Sequence, residues 1–387
     1  MCKAGDGSFK DITDYIRKAF HQPEGFVALH EPRFTGNEKT YLHECIETTF
    51  VSSVGKFVDR FEEVMSDYTG ADSAVACVNG TSALHLALLL SGVEAGDEVI
   101  TQSLTFIATA NAISYCNAHP VFLDVDLETL GLSPTALEEW LQEHAEIREG
   151  KCFNIKTGRR IQACVPMHTF GHPVKMDELM AVCSANHIVL IEDAAESLGS
   201  FYKGRHTGTF GNIGVLSFNG NKTITTGGGG MLLFNDSQLA AKAKHLSTQA
   251  KLPHPWEFAH DQIGFNYRMP NINAALGCAQ MENLDAFLAD KRELAHTYAE
   301  YFSSVGISFV TEPSDCRSNY WLNAIVLENK SERDAFLKLS NKEQVMTRPV
   351  WRPMHTLPMF STCQTDALDT TQWLEDRIVN IPSSVRK

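Results

Sequence analysis

Between residues 74 and 192, short apolar runs alternate with stretches that carry apolar residues at helical spacing. AVACV (74–78) reads as a buried strand, with a helix behind it over Thr81–Leu90. EVITQ (98–102) is followed by helical FIATANAISYC and by a further strand, PVFLDV (120–125). QACVPM, helical KMDELMAVCSAN and HIVLIED repeat the scheme, and GVLSF and GMLLF flank a glycine turn at Gly227–Gly230. Apolar runs too short for helices, separated by amphipathic ones, are the pattern of βαβ units. The expected class is therefore α/β, a mostly parallel sheet with helices on both faces.

The pattern changes after Asn271. A long helical region through DAFLADKRELAHTYAEYF gives way to strands near Ile307–Val310, Trp321–Leu327 and Val345–Thr347, with a helix near Glu332–Leu339. This describes a smaller α+β unit. The chain divides into an N-terminal arm (1–40), a large domain (41–284) and a small C-terminal domain (285–387). A length of 387 residues agrees with that division, because single cores seldom grow past roughly 250–300 residues. The first 40 residues show no repeat or bias and are read as an arm available to a partner subunit.

Composition narrows the classes. The chain is 43% hydrophobic and 21% charged, and no apolar run approaches the ~20 residues of a membrane helix. The first twenty residues lack the apolar stretch of a secretion signal, so a cytoplasmic protein is expected. Ten cysteines stand singly without a C-x-x-C pair, which predicts reduced, buried thiols and no metal centre. A net charge of −14 repels nucleic acid yet allows a local basic pocket for a phosphorylated small molecule.

Candidate chemistry follows from position, since ligands of open α/β sheets bind beyond the carboxyl ends of the strands. After AVACV, Gly80 permits a tight turn, and Thr81 and Ser82 open a helix whose free N–H groups suit an anion. The same residues also serve as ordinary helix caps. Asp193 ends a buried strand, where a carboxylate needs a cation or hydrogen bonds; a protonated pyridine nitrogen, a helix cap or a magnesium ion would each satisfy it. Lys222 sits between a strand and the glycine turn, 29 residues after Asp193 and five after Ser217. A lysine held in a pocket can form a Schiff base with an aldehyde.

His168 and His172 have metal-like spacing, but Gly171 and Pro173 break the helix such a site needs, so both are expected to line the pocket from a loop. Trp351, Arg352 and His355 combine an aromatic surface with donors that suit a nucleotide sugar, while simple packing remains the alternative. Arg348 and Arg352 are cations available to a diphosphate.

NGTSALHLAL, TFIATANA, MHTFGHPVKMD, IEDAAESLGS, SFNGNK and GFNYRMPNINAALGCAQ occur in one order along the chain. Together they resemble the sugar aminotransferase family of DegT, DnrJ, EryC1 and StrS, over about Gly36 to Pro382. The resemblance implies a pyridoxal-phosphate enzyme of fold type I, with a seven-stranded sheet. It implies that Lys222 joins the cofactor as a Schiff base, that Asp193 meets the pyridine nitrogen and that Phe106 stacks on the ring. Gly80, Thr81, Ser82 and Ser217 would hold the phosphate, with Asn266 reaching in from the other subunit of a homodimer with shared sites.

Glu196 takes the place near the ring hydroxyl where many members have Gln or His, and Asn219 and Gly220 stand where many have His and Pro. NGNK, the GGGG turn and VSSVGKFVDRFE (51–62) resemble the subgroup that makes N-acetylated diamino sugars of the bacillosamine and legionaminic acid routes. The implied activity takes an amino group from L-glutamate, through pyridoxamine phosphate, to carbon 4 of a UDP-linked 2-acetamido-2,6-dideoxy-4-keto hexose. A sugar dehydratase of the same fold replaces the lysine by histidine, against Lys222 here, and a ligand sensor would need no such lysine.

Overall fold

The computed structural model describes residues 6–386. Its main sheet is built from β1 (Ser73–Cys77), β2 (Glu98–Gln102), β3 (His119–Leu123), β4 (Ile161–Val165), β5 (Val189–Asp193), β6 (Ile213–Ser217) and β7 (Gly230–Phe234). A two-residue strand, β8 (Gln364–Thr365), joins one edge, giving the order β1-β7-β6-β5-β4-β2-β3-β8. Only β7 runs antiparallel to its neighbours.

Alternate residues of these strands enter different cores, as the two-residue period of a strand requires when both faces are covered. On one face Val75, Cys77, Val215 and Leu232 pack with Leu84 and Leu88 of the helix Gly80–Leu90. On the other, Ala74, Ala76, Leu216 and Met231 meet Phe57, Phe61 and Met65 of the helix Lys56–Thr69. Trp140, Met176 and Leu179 cover Ile100, Val121 and Leu190 on the remaining part of the sheet.

The C-terminal part forms a second, antiparallel sheet in the order Ser308–Phe309, Asn323–Val326, Ile378–Ile381, Arg348–Pro349. Three differences from the sequence reading stand out. The long helical region is two helices, Asn271–Met281 and Leu284–Ser304. The strand expected at Val345–Thr347 begins at Arg348, because Val345 instead bridges Val27 of the N-terminal segment. The central strand Ile378–Ile381 was not anticipated.

The N-terminal segment is also more than an arm. Its helix Asp6–Ala19 buries Phe9, Ile12 and Ile16 against Phe302, Phe336 and Val379, and the Phe9 and Phe336 rings lie 5.5 Å apart. The helix therefore groups with the C-terminal layer of its own chain. Among the described residues no helix is long and apolar enough to cross a membrane, no group of His, Cys, Asp or Glu is placed to hold a metal, and the cysteines are free.

Candidate active site

The carboxyl ends of β1, β5 and β6 open on a cavity of about 260 Å³ whose lining includes Thr81, Phe106, Asp193, Glu196, Ser217 and Lys222. Gly80 and Asn219, both expected at the site, line it as well. Two glycines let these strand ends meet. A Cβ on Gly80 would lie 3.0 Å from Ser217 Cβ, and one on Gly230 would lie 2.6 Å from the Asn79 backbone.

At the helix start, Asn79 Oδ1 accepts from Ser82 N at 2.8 Å. The cap is Asn79, so the reading of Thr81 and Ser82 as capping side chains gives way. The hydroxyls of Thr81, Ser82 and Ser217 have no protein partner among the described residues. Thr81 and Ser217 face the cavity beside the N-terminus of the helix Gly80–Leu90, which is the donor arrangement that a phosphate dianion needs.

Asp193 lines the same cavity. Thr109 Oγ1 donates to its Oδ2 at 2.7 Å, and Ala195 N donates to Oδ1 at 3.2 Å. Burial raises its pKa, and these hydrogen bonds and the Lys222 charge only partly offset that. A buried carboxylate so placed gains from a protonated ring nitrogen.

Lys222 Nζ lies 3.1 Å from Glu196 Oε1 and 4.0 Å from the centre of the Trp321 ring. Phe170 N donates to the second Glu196 oxygen at 2.9 Å. Burial pushes Glu196 up to about 7, with the Lys222 charge pulling it down. Trp321 Nε1 donates to Asn221 O at 2.6 Å, so one indole both underlies the lysine amine and pins the turn that carries it. The sequence marked Trp321 only as a strand residue. At the mouth, Phe106 is 47% exposed, which leaves its ring free to stack, and it stands edge-on to Trp351 at 6.2 Å.

Other expected residues lie elsewhere. His168 is fully buried: its Nε2 lies 3.1 Å from Glu192 Oε2 and its Nδ1 accepts from Val174 N. It braces the loop after β4 instead of touching a substrate. His172, also expected in the pocket lining, is buried against Ser318 Oγ at 2.8 Å. Arg348 turns away, its Nη1 donating to Asn341 Oδ1 on the outer helix Lys330–Lys342.

His355 is held by Ser103 Oγ at 2.8 Å, and Arg352 is exposed beside Trp351 in sequence. Asn266 is exposed and lies outside its own chain's cavity, with Arg268 Nε as its partner.

The family model described as the DegT/DnrJ/EryC1/StrS aminotransferase family matches residues 32–386. The chain belongs to this family. It is a sugar aminotransferase whose cofactor is pyridoxal phosphate. The chain is 39% identical to GDP-perosamine synthase of Escherichia coli O157:H7 over 87% of each chain. It is 40% identical to EpsN of Bacillus subtilis (strain 168), covering 86% of this chain and 84% of that protein. The name of EpsN assigns it provisionally to the pyridoxal phosphate-dependent aminotransferases. The crystal structure of the aminotransferase TlmJ from Streptoalloteichus hindustanus superposes with a TM-score of 0.84 at 27% identity, over 93% of this chain and 94% of that one.

The donor set of this aminotransferase fits its cofactor. Unpartnered hydroxyls at a helix N-terminus and a buried carboxylate line one cavity, and the only lysine lining it among the described residues is Lys222.

Proposed function

We propose that the enzyme moves an amino group from L-glutamate to carbon 4 of a UDP-linked 2-acetamido-2,6-dideoxy-4-keto hexose, and works as a homodimer with shared sites. The observation that carries the chemistry is Lys222 Nζ, held between Glu196 and Trp321 in one cavity with Asp193. The sugar is supported by the NGNK, GGGG and VSSVGKFVDRFE resemblance. A GDP-linked sugar is the second reading, favoured by the GDP-perosamine synthases among the relatives.

When bound, pyridoxal phosphate supplies an aldehyde for the amino group and a ring that accepts the electron pair released when a proton leaves the carbon bearing the nitrogen. Lys222 Nζ would hold the aldehyde carbon at rest and, once freed by the incoming amine, carry the proton to and from the reacting carbon. Glu196 Oε1 can take a proton from Nζ or return one, since its pKa of about 7 leaves both states populated at neutral pH. Asp193 would keep the ring nitrogen protonated, and Thr81 and Ser217, which line the cavity, would fix the phosphate, with Ser82 next to Thr81 but outside that lining. Trp321 packs its ring against Nζ and holds the turn that carries Lys222.

Two features support the shared site. Asn266 is exposed on its own chain, and the same segment leaves Trp256, Phe258 and Ile263 at 77%, 81% and 86% exposure. Apolar side chains so bare are the usual content of a subunit interface.

The test offers matched 4-keto and 3-keto sugars linked to UDP, GDP and dTDP, with L-glutamate, and identifies the products by mass spectrometry and NMR. The proposal expects preference for the UDP-linked 4-keto sugar. Preference for GDP selects the second reading, and preference for a 3-keto sugar overturns both.

A further inference from the structure

Asn319 lies on the segment that leads into the strand Asn323–Val326 of the second sheet, and it is fully buried. Trp321 N donates to its Oδ1 at 2.8 Å across Tyr320, whose φ is 48°. That turn fixes the carboxamide with Nδ2 facing the loops of the main sheet. Nδ2 donates to Glu196 O at 2.8 Å, Leu198 O at 2.9 Å and Thr223 Oγ1 at 3.2 Å. Two N–H groups serve three oxygens, so one is shared.

These oxygens belong to the loops that carry the reacting pair. Glu196 and Leu198 lie on the loop after β5, and Thr223 follows Lys222 on the loop after β6. Lys222 is thereby held through both chain neighbours, Thr223 by Asn319 and Asn221 by Trp321 Nε1. The loop after β4, whose Phe170 N holds the second Glu196 oxygen, is shaped around the same group. A Cβ on Gly171 would lie 1.8 Å from Asn319 Oδ1, and Ser200 Oγ, which accepts from Asn319 N, donates to Gly171 O at 2.7 Å. Asn319 itself is outside the cavity lining, so it acts on the reaction only through these neighbours.

We infer that Asn319 is a positioning residue for the amino transfer: its carboxamide ties the Glu196 loop to the Lys222 turn and sets the 3.1 Å separation of Glu196 Oε1 and Lys222 Nζ. Proton transfer needs its two groups within about 2.6–3.2 Å, so a small drift of either loop removes it. The inference rests on the reading of Glu196 and Lys222 as the proton-moving pair of the transaminase. A residue that merely supports the fold lowers activity whatever stands at position 196. One that sets this separation matters only while a carboxyl is there to exchange the proton.

A double-mutant cycle on the cofactor-loaded enzyme separates the two. Asn319→Ala should lower kcat about ten-fold or more in the wild-type background and less than about three-fold in the Glu196→Gln background. The dissociation constant for pyridoxal phosphate should stay within about three-fold, because the phosphate donors are untouched. Cofactor-free protein gives a second readout. Burial holds Glu196 at about 7, with Lys222 and Asp193 as the charged groups acting on it. Release of its loop to water should return the carboxyl toward its ordinary value. The thermal stability that Glu196→Gln gains over its parent from pH about 4.5 to about 8 should then shrink to less than about half in the Asn319→Ala background.

If Asn319→Ala fails to fold, Thr223→Val removes only the bond to the Lys222 turn. It should lower kcat about five-fold in the wild-type background and less than about two-fold in the Glu196→Gln background. Equal factors in the two backgrounds, an unchanged kcat, or a pH-dependent stability gain as large as in wild type overturns the inference. A wild-type enzyme that aminates no sugar nucleotide with L-glutamate defeats the reading of the reaction instead, and the stability measurement on cofactor-free protein still decides whether Asn319 holds Glu196 in place.

Discussion

Glu196 Oε1 lies 3.1 Å from Lys222 Nζ, and burial holds this carboxyl at about 7. A glutamate in this position accepts the lysine's proton over the range in which the enzyme is expected to work, whereas a glutamine could only hydrogen bond. Glu196→Gln should therefore lower kcat by about ten-fold or more and remove one ionisation from its pH profile. A profile identical to wild type would show that Glu196 takes no part in proton movement.

The same group links pH to stability. Its pKa in the folded protein is raised above the ordinary carboxyl value, so its favourable contribution is complete below that ordinary value and is lost as pH rises through about 7. Relative to wild-type cofactor-free protein, Glu196→Gln should gain thermal stability steadily from pH about 4.5 to about 8. Calorimetry of both proteins across that range checks the sign.

β1 to β7 of the large sheet were legible because each is an apolar run covered on both faces, so β2 falls on the residues expected and β1 within one of them, whereas the two polar residues of the edge strand β8 gave no such signal. The helix at Asp6–Ala19 also had a signal, with Phe9, Ile12 and Ile16 at intervals of three and four. Ile378–Ile381 is short, and its role as the centre of a sheet depends on strands from distant parts of the chain. In the site, strand-end position revealed Asp193 and Lys222. Trp321 was hidden because only tertiary packing brings it to Lys222, and His168 misled because a buried histidine paired with Glu192 looks in sequence like a pocket residue.

Trp321 makes two separable contacts, one from its ring face and one from Nε1. Trp321→Phe keeps an aromatic surface under Lys222 and loses the bond to Asn221 O; a net hydrogen bond is worth about 1 kcal/mol, so kcat should fall about five-fold. Trp321→Ala loses both and should fall by about a hundred-fold or more. Equal effects from the two variants would mean that the ring face contributes nothing.

The phosphate cradle predicts weaker cofactor retention. Ser217→Ala removes a hydroxyl that lines the cavity and has no protein partner among the described residues. A hydrogen bond to a charged group is worth about 1.5–3 kcal/mol, so the dissociation constant for pyridoxal phosphate should rise at least ten-fold, measured by fluorescence titration of cofactor-free protein. An unchanged constant would place the phosphate elsewhere.

Shared sites make a prediction that no single chain can mimic. Lys222→Ala and an Asn266→Ala variant, each weak alone, should regain activity when mixed under conditions of subunit exchange, because one heterodimer site in two is intact. Failure to recover despite demonstrated exchange would confine the site to one chain.

The account depends on Lys222 above all other residues. Spectra and turnover of purified Lys222→Ala test it most directly. The variant should fold, bind pyridoxal phosphate without the absorbance of the lysine-bound form, and lose multiple-turnover amination of every sugar nucleotide that wild type accepts. A variant that keeps the lysine-bound spectrum, or turns over near the wild-type rate, would contradict the account.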